Sequence, residues 1–324
     1  MTDFNAVFRI FPILAVFLLA TNCLAAGKQC EGERVTLQVL GSGGPEFSPE
    51  RASSAYLIWL DDKAAILVDT GPGSRRNFAR AGADFTDLQA ILYTHLHVDH
   101  SADLPAFIKA SRFLERPDDL PIYGPAGNDL MPPTSEFIGL LFGEEGAYRY
   151  LKNFVTASDD NTYHLGAFDV PLETLKQSDY DLSDAIRISA VPVHHGPVAA
   201  LAWRVEAAGC VIVFTGDTSD KFGALAGIAK GADILVAHNA IPEGTSGSAR
   251  ELHMPPSVIG SIAAEAGVRH LLISHRMSRT LGKEGDTTEK VRKNYQGPMK
   301  FAEDLDCYPL TGFDKGNCPG KSGD

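Results

Sequence analysis

The most constraining feature of this chain is Ile91-Leu92-Tyr93-Thr94-His95-Leu96-His97-Val98-Asp99-His100. An apolar run with strand character ends in four metal-ligating side chains packed closely together. On extended backbone His95 and His97 point the same way, and Asp99 keeps that alternation. His100 can turn to the opposite side if the strand gives way to a loop or helix start. One strand end would then serve two adjacent cations. The alternative is a polar loop that happens to be rich in histidine.

The same pattern recurs along the chain. Val35 to Leu40 reads as a strand running into Gly41-Ser42-Gly43-Gly44-Pro45, and Ser54 to Leu60 and Ala64 to Val68 as two more. The last ends in Asp69-Thr70-Gly71, where Asp69 either caps a turn or supports the neighbouring ligands. Helices are expected at about 74–81 and 102–114. The segment 128–165 interrupts this rhythm with helical stretches and exposed-looking aromatics, either as an insertion covering the site or as outer packing helices. In the second half, strands end in His194-His195-Gly196, in Thr215-Gly216-Asp217-Thr218 and in Ser274-His275.

Three imidazoles, from His95, His97 and one of the 194–195 pair, suit one zinc-like ion. Asp99, His100 and His275 suit a second, with Asp217 offering one oxygen to each. Two cations about 3.5–4 Å apart can share a hydroxide and clamp the oxygens of a hydrolytic transition state. Asp99 could also orient that nucleophile. Two divalent ions are therefore expected, zinc first, with Mn2+ or Fe2+ as alternatives.

With 324 residues, 44% hydrophobic and 22% charged, the chain can bury a large core. Its net charge of −12 disfavours a polyanion-binding surface, so nucleic acid is not the expected partner. Residues 1–26 read as a signal peptide: Arg9 precedes an apolar run too short for a stable membrane span, and small residues lie near Gly27. Cys23 leaves a lipid-modified terminus open as a second reading. The expected location is secreted or periplasmic, with one domain over 27–324. Cleavage would leave Cys30, Cys210, Cys307 and Cys318, an even number that suggests disulfides. Cys307 with Cys318 is the favoured pair, while Cys210 could equally be a buried thiol. A homodimer is left open.

On these motifs, Leu67 to Gly71, Thr94 to His100, His195-Gly196, Thr215 to Thr218 and Ser274-His275, the chain resembles the metallo-β-lactamase superfamily over nearly all of 35–280. The resemblance implies an α/β fold, a four-layer αβ/βα sandwich with a helical insertion and the metals along one edge of its two sheets. It selects His195, directly before glycine, as the ligand. His194 is left structural or supporting. Leu40 to Gly43, Arg51 to Ser54 and His253 are similar to the ribonuclease Z-like branch, where the residue matching His253 is thought to protonate the leaving group. His253 could instead merely cap a helix. His238-Asn239 departs from that branch, which usually has Glu at the second position, and this weighs against transfer-RNA processing. His164 and His270 read as ordinary histidines. The expected activity is hydrolysis of a small phosphodiester or related ester by a metal-bridging hydroxide. The alternatives are arylsulfatase, lactonase or β-lactamase-type hydrolysis, an iron-dependent oxidoreductase, or a scaffold without activity.

Overall fold

The computed structural model describes residues 1–2, 29–48, 50–156, 163–173 and 175–320. The expected leader, save its first two residues, lies outside the described residues.

Strands are numbered along the chain. The first sheet contains β1 (Val35–Gly41), β2 (Ala55–Leu60), β3 (Lys63–Val68), β4 (Ala90–Leu92), β5 (Leu120–Pro125) and β6 (Leu165–Val170), with the C-terminal β14 (Cys307–Pro309) added at the edge beside β1. The second contains β7 (Ser178–Asp181), β8 (Ile186–His195), β9 (Val198–Ala207), β10 (Cys210–Phe214), β11 (Ile234–His238), β12 (His270–Ser274) and β13 (Met299–Phe301), side by side in chain order. Read from β14 to β6 and from β7 to β13, both sheets show the same succession, antiparallel pairings and then parallel ones. The two halves of the chain thus share one plan, as the recurrence of ligands at strand ends suggests.

Three apolar clusters account for four layers. Val39, Tyr56, Ile58, Trp203, Phe214 and Val236 fill the space between the sheets. Outside the first sheet lie α1 (Ser74–Arg80), α3 (Leu104–Ser111) and α4 (Thr134–Phe142), anchored by Phe78, Phe107 and Phe142. Outside the second lie α5 (Leu225–Ile228), α7 (Pro256–Glu265) and α8 (Glu284–Val291), anchored by Leu225, Ile259 and Val291. Two short helices, α2 (Val98–Ser101) and α6 (Ser248–Leu252), sit at the edge where the ligands gather. This is the four-layer αβ/βα sandwich expected from the sequence.

The helical part of 128–165 packs Ile138, Phe142, Leu151 and Phe154 against the outer face of the first sheet. Asn128, at its start, donates to the Pro197 carbonyl at 2.9 Å, beside the loop that follows His195. Strands β6, β7, β13 and β14 and helix α8 are additions to the sequence reading. The β7 strand is half exposed and β13 and β14 have three residues each, so their apolar periodicity is weak.

Among the described residues there are two disulfides. Cys307 pairs with Cys318 as expected, and Cys30 pairs with Cys210 across 180 positions, which removes the free-thiol reading of Cys210. No helix among the described residues is long and apolar enough to cross a membrane.

Candidate metal centre

Parallel strands leave their carboxyl ends on one edge of a sheet, and ligands gather there when each strand gives way to a loop. Asp69 follows β3, His95 follows β4, and His195 closes β8. Asp217 follows β10, His238 ends β11 and His275 follows β12. Asp69 and His275 both have positive φ, 58° and 50°, an unfavourable backbone state that turns the chain sharply off the strand. Gly71 is required for contact: a Cβ there would lie 2.2 Å from the Asp99 carbonyl oxygen. Gly44 is required likewise, since its Cβ would stand 2.8 Å from His275 Cε1.

One group consists of His95, His97 and His195. Nδ1 of His97 lies 3.1 Å from His95 Nε2 and 3.3 Å from His195 Nε2. His195 donates from Nδ1 to the Leu252 carbonyl at 2.8 Å, so its Nε2 presents a lone pair. Thr94 Oγ1 donates to Asp69 and lies 3.1 Å from His95 Nδ1, from which it accepts, so His95 Nε2 is likewise a lone pair. Burial, reinforced by the charge of His100, holds the His95 imidazole well below its ordinary pKa. Burial also lowers His97 and His195. Rings held neutral, with the Nε2 lone pairs of His95 and His195 turned toward His97 Nδ1, form a donor set that a cation can occupy. Their spacing is near the edge of a tetrahedron of nitrogens about 2.0–2.1 Å from zinc, which is about 3.3–3.4 Å.

The other group surrounds His100, Asp99, His275 and Asp217. His100 donates from Nδ1 to Asp69 at 2.7 Å, and its Nε2 is buried without a hydrogen-bond partner among the described residues. That orphaned nitrogen lies 3.5 Å from Asp99 Oδ2 and 3.8 Å from Asp217 Oδ2. His275 Nε2 lies 3.2 Å from Asp99 Oδ2 and 3.4 Å from Asp217 Oδ1. Burial lowers the proton affinity of His100, but Asp69, Asp99 and Asp217 outweigh it and raise its pKa to about 9. For Asp99 burial acts upward, yet His100 and His275 hold it at about 2. Asp217 is held well below the ordinary range: burial opposes ionisation and the surrounding histidines, His275 first, overcome it.

Asp217 joins the two groups, since its Oδ2 stands 3.9 Å from His195 Nε2 as well as 3.8 Å from His100 Nε2. All seven predicted ligands therefore meet. One detail of the sequence reading is corrected: Asp99 does not continue a strand alternation from His97. It is carried, with His100, on the turn of α2, for which His97 is the residue before the first helical position. A helical turn offers neighbouring residues at different angles, and this sends Asp99 and His100 into the second group.

Asp69 is fully buried and accepts from Thr94 N, Thr94 Oγ1 and His100 Nδ1, so it orients ligands of both groups. His194 is half-buried on the other side of β8. It bonds Ser219 through Nδ1 and packs on Phe222, touching no ligand, because neighbouring strand residues face opposite ways. Its carbonyl accepts from Ser219 N and Thr218 Oγ1, so it helps anchor the loop carrying Asp217. His253 Nδ1 lies 3.8 Å from Asp217 Oδ2, with its ring 5.4 Å from that of His195. Burial, against the pull of Asp217, lowers His253 to about 4. His164 and His270 lie elsewhere, bonding Asp119 and the Asp233 carbonyl.

Sequence reasoning missed His238 and Tyr56. His238 donates from Nδ1 to Asp217 Oδ1 at 2.8 Å, and its Nε2 lies 3.0 Å from Tyr56 Oη, which is 2.8 Å from Ser274 Oγ. The clue was His238 at the end of an apolar strand, the pattern shared by other ligands. Asn239, where the related branch has Glu, bonds the Ile241 carbonyl and Thr287.

The metallo-beta-lactamase superfamily pattern matches residues 48–258. The chain belongs to this superfamily. It is 26% identical over 295 residues to a ribonuclease Z of Methanosarcina mazei, covering 82% of this chain and 95% of the relative. Among solved structures, the metallo-beta-lactamase fold protein YhfI from Bacillus subtilis superposes with a TM-score of 0.65 at 20% identity, over 85% of this chain and 99% of that one. The short form of human tRNase Z gives 0.65 at 18% identity, over 84% and 98%. Fold, ligand set and relatives agree on a metal-dependent hydrolase of this superfamily.

Proposed function

We propose that this protein is an exported phosphodiesterase that uses two divalent ions, zinc first, with a small molecule as substrate. The observation that carries the reading is the position of Asp217, one carboxylate oxygen of which is shared between two otherwise separate ligand groups. Bound ions at these groups would acidify a water and offset the negative charge that develops on the phosphoryl oxygens.

The protein's own residues do the rest. His95 and His195 present Nε2 lone pairs because Thr94 and the Leu252 carbonyl occupy their other nitrogens, and His97 Nδ1 faces both. Asp99, whose Oδ2 faces His100 and His275 at the second group, would orient the attacking water. His253, 3.8 Å from Asp217, would act as a neutral ring that gives its N–H proton to the departing oxygen while its other nitrogen takes one from water. Asp69 and His238 hold the ligands in one orientation. The similarity to ribonucleases Z supports phosphodiester chemistry, and the net charge of −12 supports a small substrate over a polynucleotide.

Export is supported by the apolar leader and by the two disulfides, which persist in oxidising compartments. Cell fractionation with thiol titration tests it: a cytoplasmic, fully reduced protein refutes export. The activity is tested with metal-loaded protein on a panel of chromogenic phosphodiesters, sulfate esters, lactones, β-lactams and a 3′-extended transfer RNA. Phosphodiester turnover at two ions per chain is the expected result. No phosphodiester turnover, with any other arm active, refutes the assignment.

A further inference from the structure

A cleft of about 500 Å³ has Asp99, one of the candidate metal ligands, in its wall. Such a volume fits one arm of a small molecule. Its apolar side is supplied by Phe47, in the loop after β1, and Val98 of α2, both of them exposed. Exposed apolar side chains next to a reaction centre cost solvation and point to an apolar part of the ligand.

Two of its three arginines come from α1. Arg76 and Arg80 line the cleft one helical turn apart, so both can reach a single anion. Arg76 has no hydrogen-bond or ion-pair partner among the described residues, and Arg80 uses one nitrogen on Asn77 Oδ1. The other charged groups of the cleft are mostly committed. Glu46 accepts from Ser278, Arg51 pairs with Glu303, and Asp304 accepts from Ser42, Ala52 and Asn77. Among the described residues, Glu50 is the one acid of the cleft without a hydrogen-bond or ion-pair partner. A cleft of mixed polar and apolar lining thus carries, besides the candidate ligand Asp99, an adjacent pair of arginines whose charge is largely uncommitted.

We propose that this cleft binds one arm of the substrate and selects an arm with an apolar ring that ends in an anionic group, a carboxylate or a phosphate. This rests on the phosphodiesterase reading above, whose site it extends. Arg76 and Arg80 act on specificity.

Two 4-nitrophenyl phosphodiesters test it, one of 4-(hydroxymethyl)benzoate and one of the matching benzamide, alike in shape and different in terminal charge. The metal-loaded full chain is expected to prefer the carboxylate about tenfold in kcat/KM, the effect of a partly exposed charge held by two guanidinium groups. In R76Q/R80Q that ratio should fall to near one, while the circular dichroism and Tm stay those of the parent. Equal turnover of both esters by the parent, or a preference that survives the double substitution, overturns the inference. Ligand-observed NMR of the two esters with the metal-free full chain reads the cleft without turnover. Tighter carboxylate binding that needs both arginines supports the inference even where neither ester is cleaved, an outcome that would refute only the phosphodiesterase reading. Equal binding of the two esters overturns it.

Discussion

Asp69→Asn is the sharpest perturbation this centre offers, because it removes a charge and turns one acceptor oxygen into an NH2 donor while keeping shape. Asp69 Oδ1 accepts from Thr94 N at 2.8 Å, while Oδ2 accepts from His100 Nδ1 at 2.7 Å and Thr94 Oγ1 at 2.8 Å. An asparagine amide cannot satisfy that set. Placed toward the backbone N–H it opposes a donor, so it must face His100 and Thr94. His100 would then accept at Nδ1 and carry its proton on Nε2, the orphaned atom aimed into the second group. Losing such an orienting partner typically weakens metal binding about 10–100-fold, or about 1.4–2.7 kcal/mol at 1.36 kcal/mol per decade. The His95 group is reached only through Thr94 Oγ1, so its ion should weaken less. Competition with a chromogenic chelator resolves the two affinities. Unchanged affinity at both sites would refute the tautomer argument, as would equal loss at both in a protein whose Tm is unaltered.

Other consequences are equally direct. In the metal-free chain His100 has a pKa raised to about 9, so an ion must displace its proton near neutrality. Apparent affinity at the second group should therefore rise with pH up to about 9, with proton release seen by calorimetry in buffers of different ionisation enthalpy. His253→Ala should slow diesters with alkyl leaving groups about 100-fold or more and nitrophenyl diesters much less, because only alkoxides need the proton. Equal slowing of both would remove His253 from the leaving-group side. Tyr56→Phe leaves His238 Nε2 and Ser274 with a lost partner in a buried site and should cost about 1–3 kcal/mol by denaturant unfolding. Removing Cys30–Cys210, which closes a loop of 180 positions, should cost about 5 kcal/mol on chain-entropy grounds, against about 3 kcal/mol for the 11-position Cys307–Cys318 loop. The reverse order would show that the short tail loop dominates.

Much of the centre was legible before any coordinates. His95, His97 and His100 are close in sequence, and Asp217, His195 and His275 each end an apolar run, so local periodicity already placed them at one edge. Cys307 and Cys318 are near neighbours, and their pairing followed from that. The partner of Cys210 was not legible, because nothing local links it to Cys30 at the other end of the domain. The same holds for Asp304, whose carboxylate ties Ser42, Ala52 and Asn77 together from the C-terminal tail.

Residue order marked which side chains could serve as ligands, since alternation and strand ends are properties of a few consecutive residues, and the family resemblance added the choice of His195 and the pair of packed sheets. The tertiary structure decided how those ligands are aimed. Asp99 comes from a helical turn, Asp69 serves both groups through Thr94, and His238 leans on Tyr56 to hold Asp217. Each of these is a contact between segments distant along the chain. Such contacts are chosen by packing in three dimensions, where the alternatives differ by single hydrogen bonds that no stretch of sequence records.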